Sequence, residues 1–152
     1  MMIVYLVIAA IAVGVDQLVK WWIVNNVALG ETIFHNPVLS LTQIHNEGAA
    51  WSILEGRLWF FYIVTTITCI VVLYFLYQHR HESKWLTIGL ALILGGALGN
   101  FIDRLRLGYV VDMFQVEFFN FPIFNVADMA LTFGVGCVFI YIILDERLNK
   151  VK

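Results

Sequence analysis

The sequence predicts a mainly α-helical integral membrane protein with four spanning helices. Of its 152 residues, 61% are hydrophobic and only 13% are charged, whereas a soluble domain usually carries about 25% charged residues. Four segments are apolar over the length of about 20 residues that a bilayer crossing requires. The net charge of −2 provides no strong basic field for nucleic acid. We therefore expect one membrane domain covering residues 1–152, with lipid as its main solvent and no nucleic-acid partner.

The first predicted span, residues 3–24, is interrupted by two charged side chains. Asp16 and Lys20 are four residues apart, so they share one helix face and can form an ion pair. The segment lacks the positively charged start and the small-residue cleavage site of a signal peptide. We predict a retained span in which the pair has either a structural or a functional role.

The other three predicted spans cover residues 58–77, 85–104 and 126–144. The second has no charge, the third is apolar up to Ile102 except for Asn100, and the fourth contains one acid, Asp128. Gly95 and Gly99 form a small-xxx-small pattern typical of helix packing in membranes.

The distribution of lysine and arginine predicts the orientation. The loop at residues 78–84 and the tail at residues 145–152 contain five basic residues: Arg80, Lys84, Arg147, Lys150 and Lys152. The other side has four: Lys20, Arg57, Arg104 and Arg106. This bias favours cytoplasmic termini and places loops 25–57 and 105–125 outside.

Both predicted outer loops have structural character of their own. Residues 32–46 mix β-formers with alternating polar residues, which predicts short strands and a small sheet on the membrane. The second loop is rich in phenylalanine and is predicted to enter the lipid interface as a candidate lid.

Unusual polar residues from separate stretches converge near the outer face. They are Asp16, Lys20, Asn46, Asn100, Asp103, Arg104, Asp112, Asn125 and Asp128. Ionisable residues at membrane depth are costly and usually functional. Helical spacing places Asn100, Asp103 and Arg104 on one face, where the aspartate and the arginine can order one another and the amide can bond a backbone group. The structural alternative at the fourth span is that Asn125 caps the helix and Asp128 occupies its third position.

Asp112 and Asp128 are the candidate catalytic residues. Two close carboxylates in a poorly hydrated site cannot both ionise easily, so one can serve as a base and the other as an acid. This pattern predicts peptide hydrolysis without a metal or cofactor. Cys69 and Cys137 lie in apolar runs, and the four histidines form no metal motif.

Two other function classes compete with hydrolysis. A proton- or ion-coupled transporter also uses membrane carboxylates, although its site usually lies near the midplane between repeats. A non-catalytic assembly factor or lipid-binding scaffold is the second alternative, and it would tolerate replacement of both aspartates by asparagine.

Five motifs follow one another along the chain: DQLVK at 16–20, NEGAA at 46–50, GGALGNFIDR at 95–104, VVD at 110–112 and FNVAD at 124–128. In this order they resemble the motifs of the bacterial lipoprotein signal peptidases, the signal peptidase II family, along nearly the whole chain.

The resemblance implies an aspartyl endopeptidase of the bacterial inner membrane, with an Asp112–Asp128 dyad, a four-helix bundle and an extracytoplasmic β-cradle. It implies prolipoprotein substrates, cut before a lipobox cysteine that carries diacylglycerol, and inhibition by globomycin. The supporting residues that it implies are Asp16, Lys20, Asn46, Gly99, Asn100, Asp103, Arg104 and Asn125. Membrane lipids are the other expected partners, and the chain is expected to act as a monomer.

Overall fold

The computed structural model describes the backbone of residues 2–48 and 53–150 and the side chains up to residue 145. The elements follow in the order α1 (Met2–Asn26), β1 (Thr32–Ile33), β2 (Leu39–Asn46), α2 (Leu58–Gln78), α3 (Lys84–Leu107), β3 (Val110–Val116) and α4 (Val126–Lys150). All four helices are long and apolar enough to cross a membrane. The predicted fold class, four spanning helices with a small sheet, is confirmed.

Two features of the sequence lie partly outside the described residues. They are Ala49 and Ala50, which end the NEGAA motif, and the side chains of Arg147, Lys150 and Lys152 in the basic tail.

Helix α3 is the centre of the bundle. It packs against each of the other three helices, and 56% of its most apolar window is buried, against 11–17% for the others. Its glycines permit this approach: a Cβ at Gly95 would lie 2.7 Å from the Cβ of Ala12 in α1. A Cβ at Gly89 would lie 2.7 Å from the carbonyl oxygen of Gly134 in α4. The predicted packing role of the small-residue pattern is therefore confirmed at Gly95.

The two ends of α3 are fixed by local side-chain and backbone chemistry. The Ser83 hydroxyl accepts a hydrogen bond from the Trp85 amide at 3.3 Å at the N-terminus. Gly108 ends the helix with φ +83°, a left-handed conformation that favours glycine. Because Gly108 turns the chain so sharply, β3 begins two residues later.

The three strands form one antiparallel sheet in the order β1-β2-β3. Thr32 pairs with Thr42 between β1 and β2, and Asn46 pairs with Val110 between β2 and β3. The register between β2 and β3 shifts between Leu41 and Ile44. The strands predicted within residues 32–46 are present.

Strand β3 lies inside the segment 105–125 that the sequence presents as an apolar outer loop. Val111 and Met113 are buried against Ile23 and Val27 at the end of α1 rather than exposed to lipid. Packing against α1 and pairing with β2 explain why this apolar stretch is a strand. The aromatic loop that remains covers residues 117–125.

The sheet marks one end of the bundle, which we call the sheet end. Helices α1 and α3 finish there, and α2 and α4 begin there. The short turn between α2 and α3, which contains Arg80, lies at the opposite end.

Candidate active site

Asp112 lies on β3 at the sheet end and is only 2% exposed. Both of its carboxylate oxygens accept hydrogen bonds from amide side chains. Asn125 Nδ2 donates to Oδ1 at 2.6 Å, and Asn46 Nδ2 donates to Oδ2 at 2.9 Å. The carboxyl group is therefore held by side chains from β2 and from the start of α4.

Asp128 occupies the third position of α4 and interacts with the residue that caps this helix. The Asp128 amide donates to Asn125 Oδ1 at 2.9 Å, and Asp128 Oδ2 accepts from the Asn125 amide at 3.2 Å. This is a reciprocal N-cap, as the structural alternative predicted. Asn100 Nδ2 also donates to Asp128 Oδ1 at 2.8 Å. Capping and membership of the polar site are therefore compatible at Asp128.

Asn125 is the residue that links the two aspartates. Its side-chain nitrogen donates to Asp112, while its backbone amide donates to Asp128. The same side-chain nitrogen donates to Asn100 Oδ1 at 3.1 Å. Asn125 itself is fully buried, so the hydrogen bonds that it makes to the two aspartates lie in the protein interior.

The environment of Asp112 favours its protonated form. Burial raises its pKa to about 6, and the nearby charge of Asp128 adds to this effect. The hydrogen bonds from Asn46 and Asn125 and the charge of Lys20 act in the opposite direction. An aspartate that titrates near neutrality is suited to hold a proton in one step and release it in another.

A buried ion network supports the amides from the α1 side. Lys20 Nζ lies 2.8 Å from Asp16 Oδ2 and 2.9 Å from Asp103 Oδ2. It also donates to Asn100 Oδ1 at 2.9 Å, which orients the Asn100 side chain with its nitrogen toward Asp128. The predicted Asp16–Lys20 pair is confirmed, and it is connected to the aspartates through one amide.

Asp16 is also tied to α4 and to the glycine face of α3. Its Oδ1 accepts a hydrogen bond from the Ala127 amide at 2.8 Å, next to Asp128 in sequence. A Cβ at Gly99 would lie 2.7 Å from Asp16 Oδ2, so this position requires glycine. Gly99 therefore supports the site by making room for Asp16.

Asp103 and Arg104 have different partners, so the structure does not show the mutual ordering that their spacing allows. Asp103 pairs with Lys20 and accepts from the Val111 amide at 3.2 Å. Arg104 points elsewhere: its Nη2 donates to the Gly48 carbonyl at 2.9 Å, and its guanidinium lies 4.4 Å from the ring centre of Phe61. Neighbours along a helix project about 100° apart, which allows the two side chains to serve different sets of partners.

A cavity of about 540 Å³ opens beside the aspartates. Its polar end is formed by Asn46, Asn100, Arg104, Asp112 and Asp128. The remaining wall is mainly apolar and comes from the aromatic loop and α4: Phe121, Pro122, Ile123, Phe124, Met129, Leu131 and Phe133. The cavity therefore combines a hydrogen-bonding end with space for apolar groups.

The structure brings the predicted site residues together in two connected layers. The two aspartates contact Asn46, Asn100 and Asn125, and the ion network consists of Asp16, Lys20 and Asp103. Gly99 packs against Asp16, and Arg104 lines the cavity. Within the described side chains, no group of three or more His, Cys, Asp or Glu residues could hold a metal ion.

Three contributors were not among the predicted site residues. Gln17 Nε2 donates to Asp103 Oδ1 at 2.8 Å, and its place in the first motif could have indicated this role. Tyr62 donates to the Arg104 carbonyl at 2.9 Å, and Phe61 lies against the Arg104 guanidinium. Both belong to the uncharged span α2, where the sequence contains no signal that separates them from lipid-facing aromatics.

Comparison with known proteins identifies close relatives over almost the whole chain. A model of the Peptidase_A8 family, described as Signal peptidase (SPase) II, matches residues 8–144. The lipoprotein signal peptidase of Enterococcus faecalis is 54% identical over 151 residues, which cover 99% of this chain and 94% of the relative. That of Latilactobacillus sakei is 56% identical over 150 residues, covering 97% and 99%.

Solved structures agree with this result. One described as a bacterial membrane enzyme, obtained by the in meso method at 2.3 Å resolution, superposes with a TM-score of 0.89 at 37% identity. The match covers 94% of this chain and 89% of the other.

Proposed function

Because the chain belongs to the signal peptidase II family, we propose that it is an aspartic endopeptidase with Asp112 and Asp128 as its catalytic pair. As a member of this family it is a lipoprotein signal peptidase and a multi-pass bacterial membrane protein. The observation that carries the catalytic proposal is that Asn125 donates hydrogen bonds to both carboxyl groups at one end of the cavity.

The proposed reaction needs one ionised and one protonated aspartate. Ionised Asp128 takes a proton from water as the water oxygen bonds to the scissile carbonyl carbon, and protonated Asp112 donates its proton to the carbonyl oxygen. Asp128 then gives its proton to the leaving nitrogen, Asp112 takes back a hydroxyl proton, and the C–N bond breaks. Both aspartates return to their starting states, and no covalent intermediate forms.

The surroundings of the pair support this division of roles. Burial favours the neutral form of Asp112 and raises its pKa, whereas the start of α4 places Asp128 at the positive end of a helix dipole. The Arg104 guanidinium lines the same polar end and supplies positive charge where the carbonyl oxygen gains electron density.

The proposed substrate is a prolipoprotein whose cysteine carries diacylglycerol. Its peptide bond matches the polar end of the cavity, and its acyl chains match the apolar wall formed by the aromatic loop and α4. Exposed Phe118, Phe119 and Phe121 on that loop favour contact with lipid, and an apolar substrate would exclude water from the pair.

We place the sheet end at the outer face of the inner membrane, with both termini in the cytoplasm. The basic residues Arg80 and Lys84 lie at the end opposite the sheet, which the positive-inside rule assigns to the cytoplasm. The transporter alternative has no support from the family match.

Cleavage of a diacylglyceryl-modified prolipoprotein by purified protein in lipid tests the pair. Asp112→Asn and Asp128→Asn should each reduce kcat by about 10²–10⁴-fold, the range that an acid–base group typically contributes. Asp145→Asn, a change of the same type near the far end of α4, is the matched control and should retain wild-type activity.

Circular dichroism and thermal unfolding establish that each variant is folded. Substantial cleavage by folded Asp112→Asn or Asp128→Asn protein would contradict the catalytic assignment. Equal cleavage of the unmodified precursor would contradict only the lipid requirement.

A further inference from the structure

A second groove lies on the sheet, next to the catalytic cavity, and we call it the sheet groove. It has a volume of about 490 Å³. Its walls include Ile44, His45, Gln115, Glu117, Phe119 and Asn120. Its described lining comes from β2, β3 and the aromatic loop, with no residue from the four helices. The sheet groove is therefore built outside the four helices that can cross the membrane.

The sheet groove and the catalytic cavity share one wall. Asn46 and the loop residues Phe121, Pro122 and Ile123 line both spaces. Asn46 also donates a hydrogen bond to Asp112 at 2.9 Å. A chain that leaves the aspartates along this wall enters the sheet groove directly.

Strand β3 gives the distance between the two spaces. Asp112 lines the cavity, and Gln115 and Glu117 line the groove three and five residues farther along the chain. At about 3.3 Å per residue in an extended strand, these positions lie roughly 10–16 Å from Asp112. An extended peptide beside β3 would bring its third to fifth residues after the cleaved bond into the groove.

The sheet groove carries a negative charge from its lining. Glu117 and His45 are its titratable lining residues. Glu117 accepts a hydrogen bond from the Ser40 hydroxyl, which fixes its carboxylate on the sheet. His45 stacks on Tyr109 at 3.7 Å between ring centres, and burial lowers its pKa, so its neutral form is favoured.

We propose that the sheet groove binds the polar peptide segment that follows the cleaved bond, and that Glu117 makes it favour a basic over an acidic side chain at the third to fifth residues. This inference rests on the proposed peptidase function. It gives the two parts of the substrate separate sites: the apolar part in the cavity and the water-soluble part on the sheet.

Three lipid-modified peptides test the proposal. One ends at the residue after the modified cysteine, and the other two continue for six residues with either lysine or aspartate at the third to fifth positions. The wild-type protein should cleave the lysine peptide with a kcat/KM about two- to fivefold above that of the aspartate peptide, the range that exposed ion pairs reach. Glu117→Gln should bring this ratio close to one, mainly through KM.

Glu31→Gln is the matched control, because Glu31 is an exposed acid beside β1, outside the lining of the groove. It should keep the wild-type ratio. An unchanged ratio in Glu117→Gln, or equal cleavage of both long peptides by the wild type, would refute the sheet groove as a binding site. Failure of the wild type to cleave the short peptide and both long peptides would instead refute the proposed peptidase function.

Discussion

Replacing Lys20 by methionine should destabilise the protein strongly, because this lysine is the centre of the buried ion network. Its side chain is only 4% exposed and lies within 2.9 Å of Asp16 and Asp103. Methionine fills a similar volume but removes the positive charge. Two buried carboxylates then remain without their cation.

The expected loss in the free energy of unfolding is about 3–5 kcal/mol, the usual cost of removing one partner from a buried ion pair. The substitution also removes the donor that orients the Asn100 amide toward Asp128. Activity should therefore fall in the fraction of protein that remains folded.

Denaturant unfolding in detergent, followed by circular dichroism, measures the change in stability. Lys84→Met is the matched control: Lys84 is exposed at the start of α3, so its replacement should cost less than about 0.5 kcal/mol. Asp103→Asn in the Lys20→Met background should recover part of the loss, because it removes one of the two uncompensated charges.

Two results would refute this reasoning. One is a Lys20→Met protein within about 1 kcal/mol of the wild type, below the range for a broken buried pair. The other is a double variant whose destabilisation equals the sum of the two single changes, since residues in one network are expected to be coupled.

Two further predictions concern the small-residue face and the titration of the site. Gly99→Ala should destabilise the protein by about 1–3 kcal/mol through overpacking, because the new Cβ would lie 2.7 Å from Asp16 Oδ2. Gly136→Ala is the control and should be neutral or stabilising, because a Cβ there meets no atom within 4 Å. Equal thermal shifts for the two variants would contradict the packing argument. The value of kcat/KM should fall as pH rises through about 6, because Asp112 acts in its protonated form and ionises there. Asn46→Ala should move this fall to higher pH, because the hydrogen bond from Asn46 lowers the pKa of Asp112 and its loss raises that pKa. A shift to lower pH in the measured profile would argue against the acid role.

Hydrophobic composition and the positions of the apolar runs determined the class of protein and the number of helices. Long apolar runs form spanning helices because a backbone in lipid must satisfy its hydrogen bonds internally. The interruption of these runs by Asp16, Lys20 and Asn100 also indicated a buried polar site, since such residues are costly in lipid without partners. These inferences use one-dimensional patterns and need no knowledge of how the helices pack.

The pairing of side chains within the site was determined only by the tertiary structure. Spacing placed Asp103 and Arg104 at the same helix end. It could not show that Asp103 pairs with Lys20 or that Arg104 donates a hydrogen bond to the Gly48 carbonyl. Each partner lies on another segment of the chain, and its position depends on how closely α1 and the end of β2 approach α3.

The third strand shows the same division between sequence and structure. Residues 110–116 are apolar except for Asp112 and Gln115, and they would suit a lipid-facing loop as well as a strand. Pairing with β2 and burial of Met113 against α1 favour the strand. That choice places Asp112 next to Asn46 and Asn125. The sequence determined which residues are available for catalysis, and long-range packing decided how they face one another. The reason is that hydrogen bonds between distant segments form only when the backbone has brought both partners within about 3 Å.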